Sequence, residues 1–224
     1  MRIKEHGIIF QDWGVRAILE DRKIHTRRII TPHNSYVDGS SWPKGWEFDW
    51  SMAYVDQGPS PAGNPGPYLH ADLIGGDTTH RIYSRYSPGD LIWVRETWWD
   101  RKDRFHKSQD LNAIHYDADY WIPSEDISHI HCRRPSIFMP RWASRITLEI
   151  TDVRVERVQE ISSEDVIREG VYIIPESGSR LLEDFAWLPE EKFRPVWDSI
   201  NLKRGYGWEV NPWVWVIEFK RIAP

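Results

Sequence analysis

A segment of alternating apolar and polar residues constrains the fold of this chain more than any other feature. In RITLEITDVRVERVQEI, residues 145–161, apolar side chains recur at every second position until the alternation changes phase at Thr151 and Asp152. A period of two indicates a β-strand with one buried face, and a change of phase indicates a bend or a bulge. The segment therefore predicts a long strand with one face in the core.

Two further segments predict strands. SPGDLIWVRETWW, residues 87–99, begins with a Pro-Gly-Asp turn and continues with apolar and aromatic residues. PWVWVIEFKRI, residues 212–222, is aromatic and β-branched, a composition that favours strands. Together with the alternating segment, they predict a fold that is mostly β.

Three segments predict helices. Residues 13–22 place apolar side chains on one helical face, with Asp12 as the N-cap. SSEDVIREG, residues 162–170, begins with serine, has acids in its first turn and ends in glycine. PEEKFRPVWDSIN, which begins at Pro189, has a helical pattern that Pro195 interrupts. We expect these helices to pack at the ends of a small, mostly β barrel.

Two stretches without clear periodicity separate the predicted elements. Residues 32–84 are rich in Pro, Gly, Ser and Trp, and residues 100–135 are polar and mixed. We interpret both as large loop insertions that emerge from one domain spanning residues 1–224. Because long loops often carry function, we expect both insertions to pack over one mouth of the barrel as a wall or lid.

Composition excludes several classes of protein. The formal net charge of −5 provides no global basic field to attract nucleic acid. The single cysteine, Cys132, excludes an intramolecular disulfide and fits a reducing compartment. No apolar run approaches the length of about 18 residues that a membrane span requires, and the first residues lack the apolar region of a signal peptide. We therefore expect a soluble, cytoplasmic monomer that does not contact a membrane.

Tryptophan is unusually frequent, with 14 residues. Most of these rings are expected to fill the core or to anchor loops, because aromatic side chains are usually buried. The alternative is a stacking surface for a planar ring such as a nucleobase.

An amine and a hydroxyl lie close together in EDRKIHTRR, residues 20–28, where Lys23 stands three residues before Thr26. A threonine hydroxyl becomes a nucleophile when a base removes its proton, and a lysine amine can do so only when it is neutral. Burial favours the neutral amine because desolvation disfavours the cation. The pair is therefore a candidate catalytic dyad, and the competing interpretation is a solvated lysine beside a strand threonine.

Two glutamates are candidate proton-transfer groups. Glu169 precedes Gly170 at the end of a short predicted helix, where the negative end of the helix dipole raises the proton affinity of a carboxylate. A solvated side chain at a helix end is the competing interpretation. Glu96 ends the apolar strand of WVRET, and its competing interpretation is a structural ion pair with Arg95.

The segment RPSIFMPRWASRI, residues 134–146, combines three arginines with Trp142. Arginine and tryptophan together can hold a base or a phosphate. The same arginines, among them Arg134, Arg141 and Arg145, can instead bind acidic neighbours, which are plentiful in this chain.

Metal catalysis has weak support in the sequence. His129 and His131 can share one strand face beside Cys132. A zinc site needs three or four ligands, so His106 or His115 would have to contribute as well. The chain contains no P-loop, GxGxxG or GxSxG motif. We therefore expect neither a metal nor a cofactor.

Four blocks of sequence, taken in order, resemble the ASCH family of small β-barrel domains related to the RNA-binding PUA fold. The blocks are ILEDRKIHTRR (18–28), PGDLIWVRET (88–97), ITLEITDVRVERVQEISSEDVIREG (146–170) and WVIEFKRI (215–222), and they cover about half of the chain. The resemblance implies a PUA-like barrel with flanking helices. The two insertions of this chain go beyond what a minimal ASCH domain contains. They are similar to those of larger ASCH proteins from phages and prophages.

Compact bacterial members of this family are amidohydrolases that remove the acyl group from N4-acetylcytidine and related N4-acylated cytosines. The resemblance implies that Lys23 and Thr26 match their catalytic lysine and threonine. It also implies that Glu169 matches their catalytic glutamate, with Glu164 as the alternative. We therefore predict an amidohydrolase with a Thr-Lys-Glu triad that acts without a metal.

We expect the substrate of this enzyme to be a nucleoside or nucleobase. Arg28, Glu96, Arg141 and Trp142 are the predicted substrate-binding residues. The family also includes RNA-binding and ribonuclease members, so the alternative function is an RNA-binding or RNA-processing module.

Overall fold

Strands make up most of the regular structure. The computed structural model describes residues 3–58, 67–101, 114–120, 131–171 and 189–222. Strands account for 43% and helices for 25%. This confirms the prediction of a mostly β chain with few helices.

The described residues contain thirteen strands and three α-helices, joined by turns and short 3₁₀ segments. The strands are β1 (Glu5–Ile9), β2 (His25–Ile29), β3 (Ser35–Val37), β4 (Ser40–Ser41), β5 (Phe48–Asp56), β6 (Tyr68–Leu73), β7 (Thr79–Ser84), β8 (Leu91–Arg95), β9 (Trp98–Arg101), β10 (His115–Tyr116), β11 (His131–Arg134), β12 (Thr147–Arg157) and β13 (Trp213–Ile222). The helices are α1 (Asp12–Leu19), α2 (Ser163–Arg168) and α3 (Pro189–Asn201).

The chain divides into two compact units. The first comprises Met1–Ile24, Gly89–Ile150 and Phe219–Pro224, and the second comprises His25–Pro88 and Thr151–Glu218. Residues 32–84 thus belong to the same unit as Thr151–Glu218 and do not form a unit of their own. One domain over residues 1–224 stays a prediction.

The alternating segment forms one strand, β12, as predicted. Its buried positions alternate on both sides of Thr151 and Asp152, which are both exposed. Ile150 and Val153, which flank them, are both buried. The change of phase in the sequence therefore marks the point at which the buried positions change from even-numbered to odd-numbered residues.

In the first unit, β8 lies between β1 and the beginning of β12. β1 runs parallel to β8, and residues Thr147–Glu149 of β12 run antiparallel to it. Helix α1 buries the apolar face that its sequence spacing predicts. A separate antiparallel sheet has β9 between β10 and β11, and Trp98, Tyr116 and Met139 form its small core.

In the second unit, β2 pairs antiparallel with residues 214–218 of β13. Two helices pack on this strand pair. Phe193 and Trp197 of α3 and Val166 of α2 share a buried cluster with Val214 and Val216 of β13. This cluster fixes α2 beside β2, which determines where the side chains at the end of α2 can reach.

The prediction that residues 32–84 form a loop is wrong. They contain the strands of a five-stranded antiparallel sheet with the order β4-β3-β7-β6-β5. Trp42, Trp46 and Trp50 pack around the buried ring of Phe48 at centroid distances of 4.9, 6.2 and 5.8 Å. These aromatic contacts replace strict alternation as the stabilising pattern, so the lack of periodicity is misleading.

The second insertion is described only in part. Residues 115–116 and 131–134 form β10 and β11, which pair with β9. The rest of the predicted insertion, residues 102–113 and 121–130, lies outside the described residues.

Two details of the predicted helices are corrected. The N-cap of α1 is Gln11, and Asp12 is the first helical residue. Helix α3 continues through Pro195. Pro195 and Glu191, four residues earlier, are both exposed, so water can replace the backbone hydrogen bond that proline removes. Within the described part of the chain, no helix is long and apolar enough to cross a membrane.

Candidate functional site

Strand β2 carries three consecutive buried polar residues, His25, Thr26 and Arg27. Buried polar groups of this kind need partners, because their desolvation costs free energy. Side chains alternate along a strand, so His25 and Arg27 project to one face, and Thr26 and Arg28 to the other. Pairing with β13 places Thr26 opposite Ile217. The strand thus presents chemically active side chains on both of its faces.

The guanidinium of Arg27 lies at the centre of a group of carboxylates. Its Nε donates to Glu156 Oε1 at 2.9 Å, and its Nη2 donates to the same oxygen at 2.5 Å and to Asp165 Oδ2 at 2.8 Å. Its Nη1 donates to Glu169 Oε1 at 3.1 Å. Burial alone would lower the pKa of Arg27, but the carboxylates of Glu169 and Glu156 raise it above its usual value. Arg27 therefore stays charged and joins β12 and α2 to β2.

Arg154 and His25 extend this network. Arg154 donates to Asp165 and Glu218 and, at 3.3 Å, to Glu156. The His25 ring lies between two carboxylates, with Nδ1 3.4 Å from Asp165 Oδ1 and Nε2 3.4 Å from Glu218 Oε1. Burial lowers the pKa of His25, although the two carboxylates raise it. The neutral ring is therefore favoured at neutral pH.

The network contains more negative than positive charge. Four carboxylates, those of Glu156, Asp165, Glu169 and Glu218, bind two guanidiniums, those of Arg27 and Arg154. Buried charges that are not fully balanced destabilise a fold. Clusters of perturbed ionisable groups occur most often at functional sites, so this network is the strongest candidate site in the second unit.

Glu169 occupies the C-cap of α2, and its position follows from the local sequence. Ser162 caps the start of the helix by accepting a backbone N–H bond of 3.2 Å, and Gly170 ends it with a φ of 80°. Glu169 is 4% exposed, whereas the Glu164 side chain is 69% exposed. Burial therefore favours Glu169 over Glu164 as the functional glutamate.

Arg28 shares its strand face with Thr26. Burial lowers the pKa of Arg28, and Tyr86 and Glu169 act in the opposite direction. Glu169 also influences the pKa of Arg27. Its carboxylate is therefore within electrostatic range of residues on both faces of β2.

Lys23 lies in the first unit, just after α1 ends. Asp21 adopts a positive φ of 55°, and the backbone N–H of Lys23 donates to the Ala17 carbonyl at 3.0 Å. Lys23 is 4% exposed, and its amine lies 5.5 Å from the centre of the Trp13 ring. The interpretation of Lys23 as an ordinary solvated lysine is therefore wrong.

Glu96 is completely buried in the first unit and binds Arg145. Arg145 donates to both carboxylate oxygens of Glu96 at 3.0 Å and to Asp119 at 2.6 and 2.9 Å. Its guanidinium lies 3.9 Å from the centre of the Tyr116 ring. Burial raises the pKa of Glu96, although Arg145 lowers it. Glu96 follows β8, which ends at Arg95, rather than ending the strand itself. The ion pair that it forms is with Arg145 and not with Arg95.

Arg141 and Trp142 lie at the surface of the first unit. Arg141 donates to Glu5 Oε2 at 2.9 Å and to Thr147 Oγ1 at 3.2 Å. Trp142 is 42% exposed and packs edge-on against Trp98. Their exposure leaves both side chains accessible to a ligand.

The neighbouring arginines also bind acidic groups. Arg134 lies 3.2 Å from Asp100, and Arg133 donates to Asp117 at 2.6 Å. Together with Arg141 and Arg145, they support the interpretation that this segment binds the acids of its own chain.

The predicted site residues fall in both units. Those in the first unit are Lys23, Glu96, Arg141 and Trp142, and those in the second unit are Thr26, Arg28 and Glu169. Of these, Glu169 belongs to the Arg27 network directly.

Sequence reasoning missed Arg27, His25, Arg154 and most of their acidic partners. A signal was present in VRVER, where Arg154 and Glu156 occupy alternate positions of a strand. Such positions are ordinarily interpreted as a solvated face. Charged residues of opposite sign on β12 and in the segment that forms β2 could instead have indicated a buried ion-pair network.

The histidines proposed as metal ligands come together only in part. The rings of His115 and His131 are 5.7 Å apart, and Cys132 is half-buried. His106 and His129 lie outside the described residues. In the part that the structure describes, no group of three or more His, Cys, Asp or Glu could hold a metal ion.

The chain matches no protein-family model, no curated protein sequence and no solved structure.

Proposed function

We propose that this chain is an amidohydrolase that removes the acyl group from N4-acylated cytosines or cytidines, such as N4-acetylcytidine. Lys23, Thr26 and Glu169 are the proposed catalytic residues, and the reaction needs no metal. The ASCH resemblance implies this substrate and these roles, and the observation that supports the three residues is their burial, since each of them is 4% exposed. Lysine and glutamate are rarely buried to this extent without a specific role or partner.

The chemistry assigns a separate task to each residue. Burial favours a neutral Lys23 amine, which can take the proton of the Thr26 hydroxyl as its oxygen attacks the acyl carbon. The bond from that carbon to the cytosine nitrogen then breaks, and the Lys23 ammonium returns the proton to the departing amine. Glu169 takes a proton from the water that attacks the acyl-threonine and gives it to the Thr26 oxygen as the ester bond breaks, which releases a carboxylic acid and restores the hydroxyl.

A rival route uses the same residues differently. Glu169 activates water directly, and Thr26 only orients the acyl carbonyl. The two routes predict different behaviour for Thr26→Ser, which retains a nucleophile and should keep measurable activity in the first route.

The expected ASCH-like architecture belongs to this proposal. The mostly β composition is compatible with a PUA-like barrel, although the described strands form open sheets. The proposal includes a cytoplasmic location, because a nucleoside substrate would be found in that compartment. The single cysteine is compatible with this location.

The alternative, an RNA-binding module, has less support. Such a module needs basic groups that are available to phosphates. The arginines of residues 133–145 bind carboxylates instead, as Arg133, Arg134 and Arg141 illustrate. Tight, salt-sensitive RNA binding without turnover of any acylated cytosine would reverse this ranking.

The proposal is tested by a panel of N4-acylated cytosines and cytidines that differ in the acyl group. The expected result is release of cytosine or cytidine from at least one compound, with full activity after treatment with a chelator. Loss of activity on chelation and its recovery with zinc would contradict the metal-free mechanism.

A further inference from the structure

All three nitrogens of the Arg27 guanidinium donate to carboxylates, which lie on two different elements. Glu156 is on β12, Asp165 is within α2, and Glu169 is at the end of α2. The side chain of Arg27 is only 1% exposed. A guanidinium offers several N–H donors in a rigid plane, so this arrangement holds the three acids at fixed distances from one another.

We infer that Arg27 is a positioning residue, which orients the Glu169 carboxylate and keeps it ionised so that Glu169 acts as a base. This inference rests on the proposed amidohydrolase function, in which Glu169 is a catalytic residue. It replaces the expectation that the helix dipole raises the proton affinity of Glu169. The 3.1 Å contact with a buried guanidinium outweighs the partial charge of a short helix.

The surroundings of Glu169 support this assignment. Charged groups on each neighbouring element act in this network: Arg27, Arg28 and His25 on β2, Asp165 on α2, Glu156 and Arg154 on β12, and Glu218 on β13. The arginines favour the ionised carboxylate of Glu169, and the acids favour the protonated one. Arg27 donates to Glu169, Glu156 and Asp165, so its removal would leave three neighbouring carboxylates without their shared cation.

An ionised Glu169 has a defined task in both routes of hydrolysis. It takes a proton from the water that attacks the acyl carbon, whether that carbon is bound to threonine or to the cytosine nitrogen. In the direct route, the same proton then passes to the departing amine as the C–N bond breaks. In the threonine route, it passes to the Thr26 oxygen as the bond from that oxygen to the acyl carbon breaks. The carboxylate is restored in each case.

The test compares Arg27→Met, Glu169→Gln and the double variant in turnover of N4-acetylcytidine. Arg27→Met is expected to lower kcat by about tenfold or more and to move the acid limb of the kcat/KM profile to higher pH. In the Glu169→Gln background, the same substitution should change kcat by less than about threefold, because residues that act through one another are not additive.

Two further variants separate positioning from general support of the fold. Arg154→Met removes a neighbouring arginine that binds Glu156, Asp165 and Glu218. The acid limb of the kcat/KM profile of this variant should lie at the same pH as that of the parent. Arg27→Lys keeps the charge but cannot reach three acids, so the acid limb of its kcat/KM profile should stay close to that of the parent while its kcat falls. Arg27→Gln, which removes the charge but keeps a polar side chain, serves as the test if Arg27→Met does not fold.

A measurement without turnover distinguishes failure of this inference from failure of the proposed function. Carboxyl carbon NMR, with the Glu169 signal assigned from Glu169→Gln, follows its titration in the parent, Arg27→Met and Arg27→Gln. A titration midpoint that rises in Arg27→Met supports the inference, even if no acylated cytosine is hydrolysed. An unchanged midpoint in Arg27→Met, or in Arg27→Gln where the first variant does not fold, would overturn it. So would additive effects of the two substitutions on kcat.

Discussion

The two buried arginine–carboxylate clusters of this molecule are built from the same chemical groups in different proportions. In the first unit, Arg145 binds both oxygens of Glu96 and reaches outward to Asp119. In the second unit, Arg27 divides its donors among three carboxylates. A bidentate ion pair satisfies both of its partners and stabilises a structure. A guanidinium that divides its donors among several carboxylates instead holds those acids close together.

The surroundings of the two clusters differ as well. Arg145 lies against the ring of Tyr116, whose hydroxyl donates to the Ala143 carbonyl at 2.9 Å. The Arg27 cluster instead lies on a strand that carries a buried histidine and a buried threonine. We propose that the Glu96 cluster is structural and that the Glu169 cluster is the candidate for chemistry, although both glutamates are almost completely buried.

The largest expected effect separates the two glutamates. Glu169→Gln should lower kcat/KM by about a hundredfold or more, equivalent to ~2.7 kcal/mol of transition-state stabilisation. Glu96→Gln, a matched change of a buried glutamate, should leave kcat/KM within about threefold. Steady-state assays on N4-acetylcytidine with both purified variants provide the measurement. A larger loss in Glu96→Gln than in Glu169→Gln would exchange the roles of the two clusters.

The next effect concerns stability. Arg145→Met should destabilise the fold by about 3–5 kcal/mol, because it leaves the buried Glu96 without its partner. Arg141→Met is the control, since its exposed pair with Glu5 should contribute about 1 kcal/mol or less. Urea unfolding of both variants measures the difference. Equal losses in the two variants would show that the Glu96 pair is no more stabilising than a surface pair.

The two clusters should respond to pH with opposite signs. Burial raises the pKa of Glu96 above its usual 4.5, so its folded form binds a proton more readily than its unfolded form. This contribution to stability is present below pH 4.5 and is lost as the pH rises through the folded pKa. Burial would also raise the pKa of Asp165, but Arg27 lowers it below 3.8, so the contribution of Asp165 is lost as the pH falls below that value.

Unfolding free energies of Glu96→Gln and Asp165→Asn across pH 3–7 test these signs. Asp165→Asn should be less stable than the parent at neutral pH, and this difference should disappear toward pH 3. Glu96→Gln should change the pH dependence only above the usual pKa of a glutamate. The same sign in both variants would contradict the assigned environments.

The sequence predicted the strands more successfully than the contacts between charged side chains. The period of two identified β12, and the Ser162 and Gly170 signals identified α2, because each depends on neighbours in the chain. The sheet in residues 32–84 was missed because aromatic packing between strands leaves no simple period. Arg27 was missed because its partners, such as Glu156, are more than a hundred residues away.

The smallest expected effect concerns the alternative glutamate. Glu164→Gln should leave kcat/KM within about twofold, because its exposed side chain makes only a surface pair with Arg168. The control is Glu169→Gln measured in the same assay. A loss in Glu164→Gln comparable to that in Glu169→Gln would contradict the assignment of Glu169 as the single functional glutamate.

The most direct test of the proposed chemistry is the turnover of N4-acetylcytidine by the parent, Lys23→Ala and Thr26→Ala. Release of cytidine is followed under identical conditions, and circular dichroism establishes that each variant is folded. We predict turnover by the parent and a loss of about a hundredfold or more in each variant. Turnover near the parent rate by both folded variants would contradict the assignment of Lys23 and Thr26 as catalytic residues.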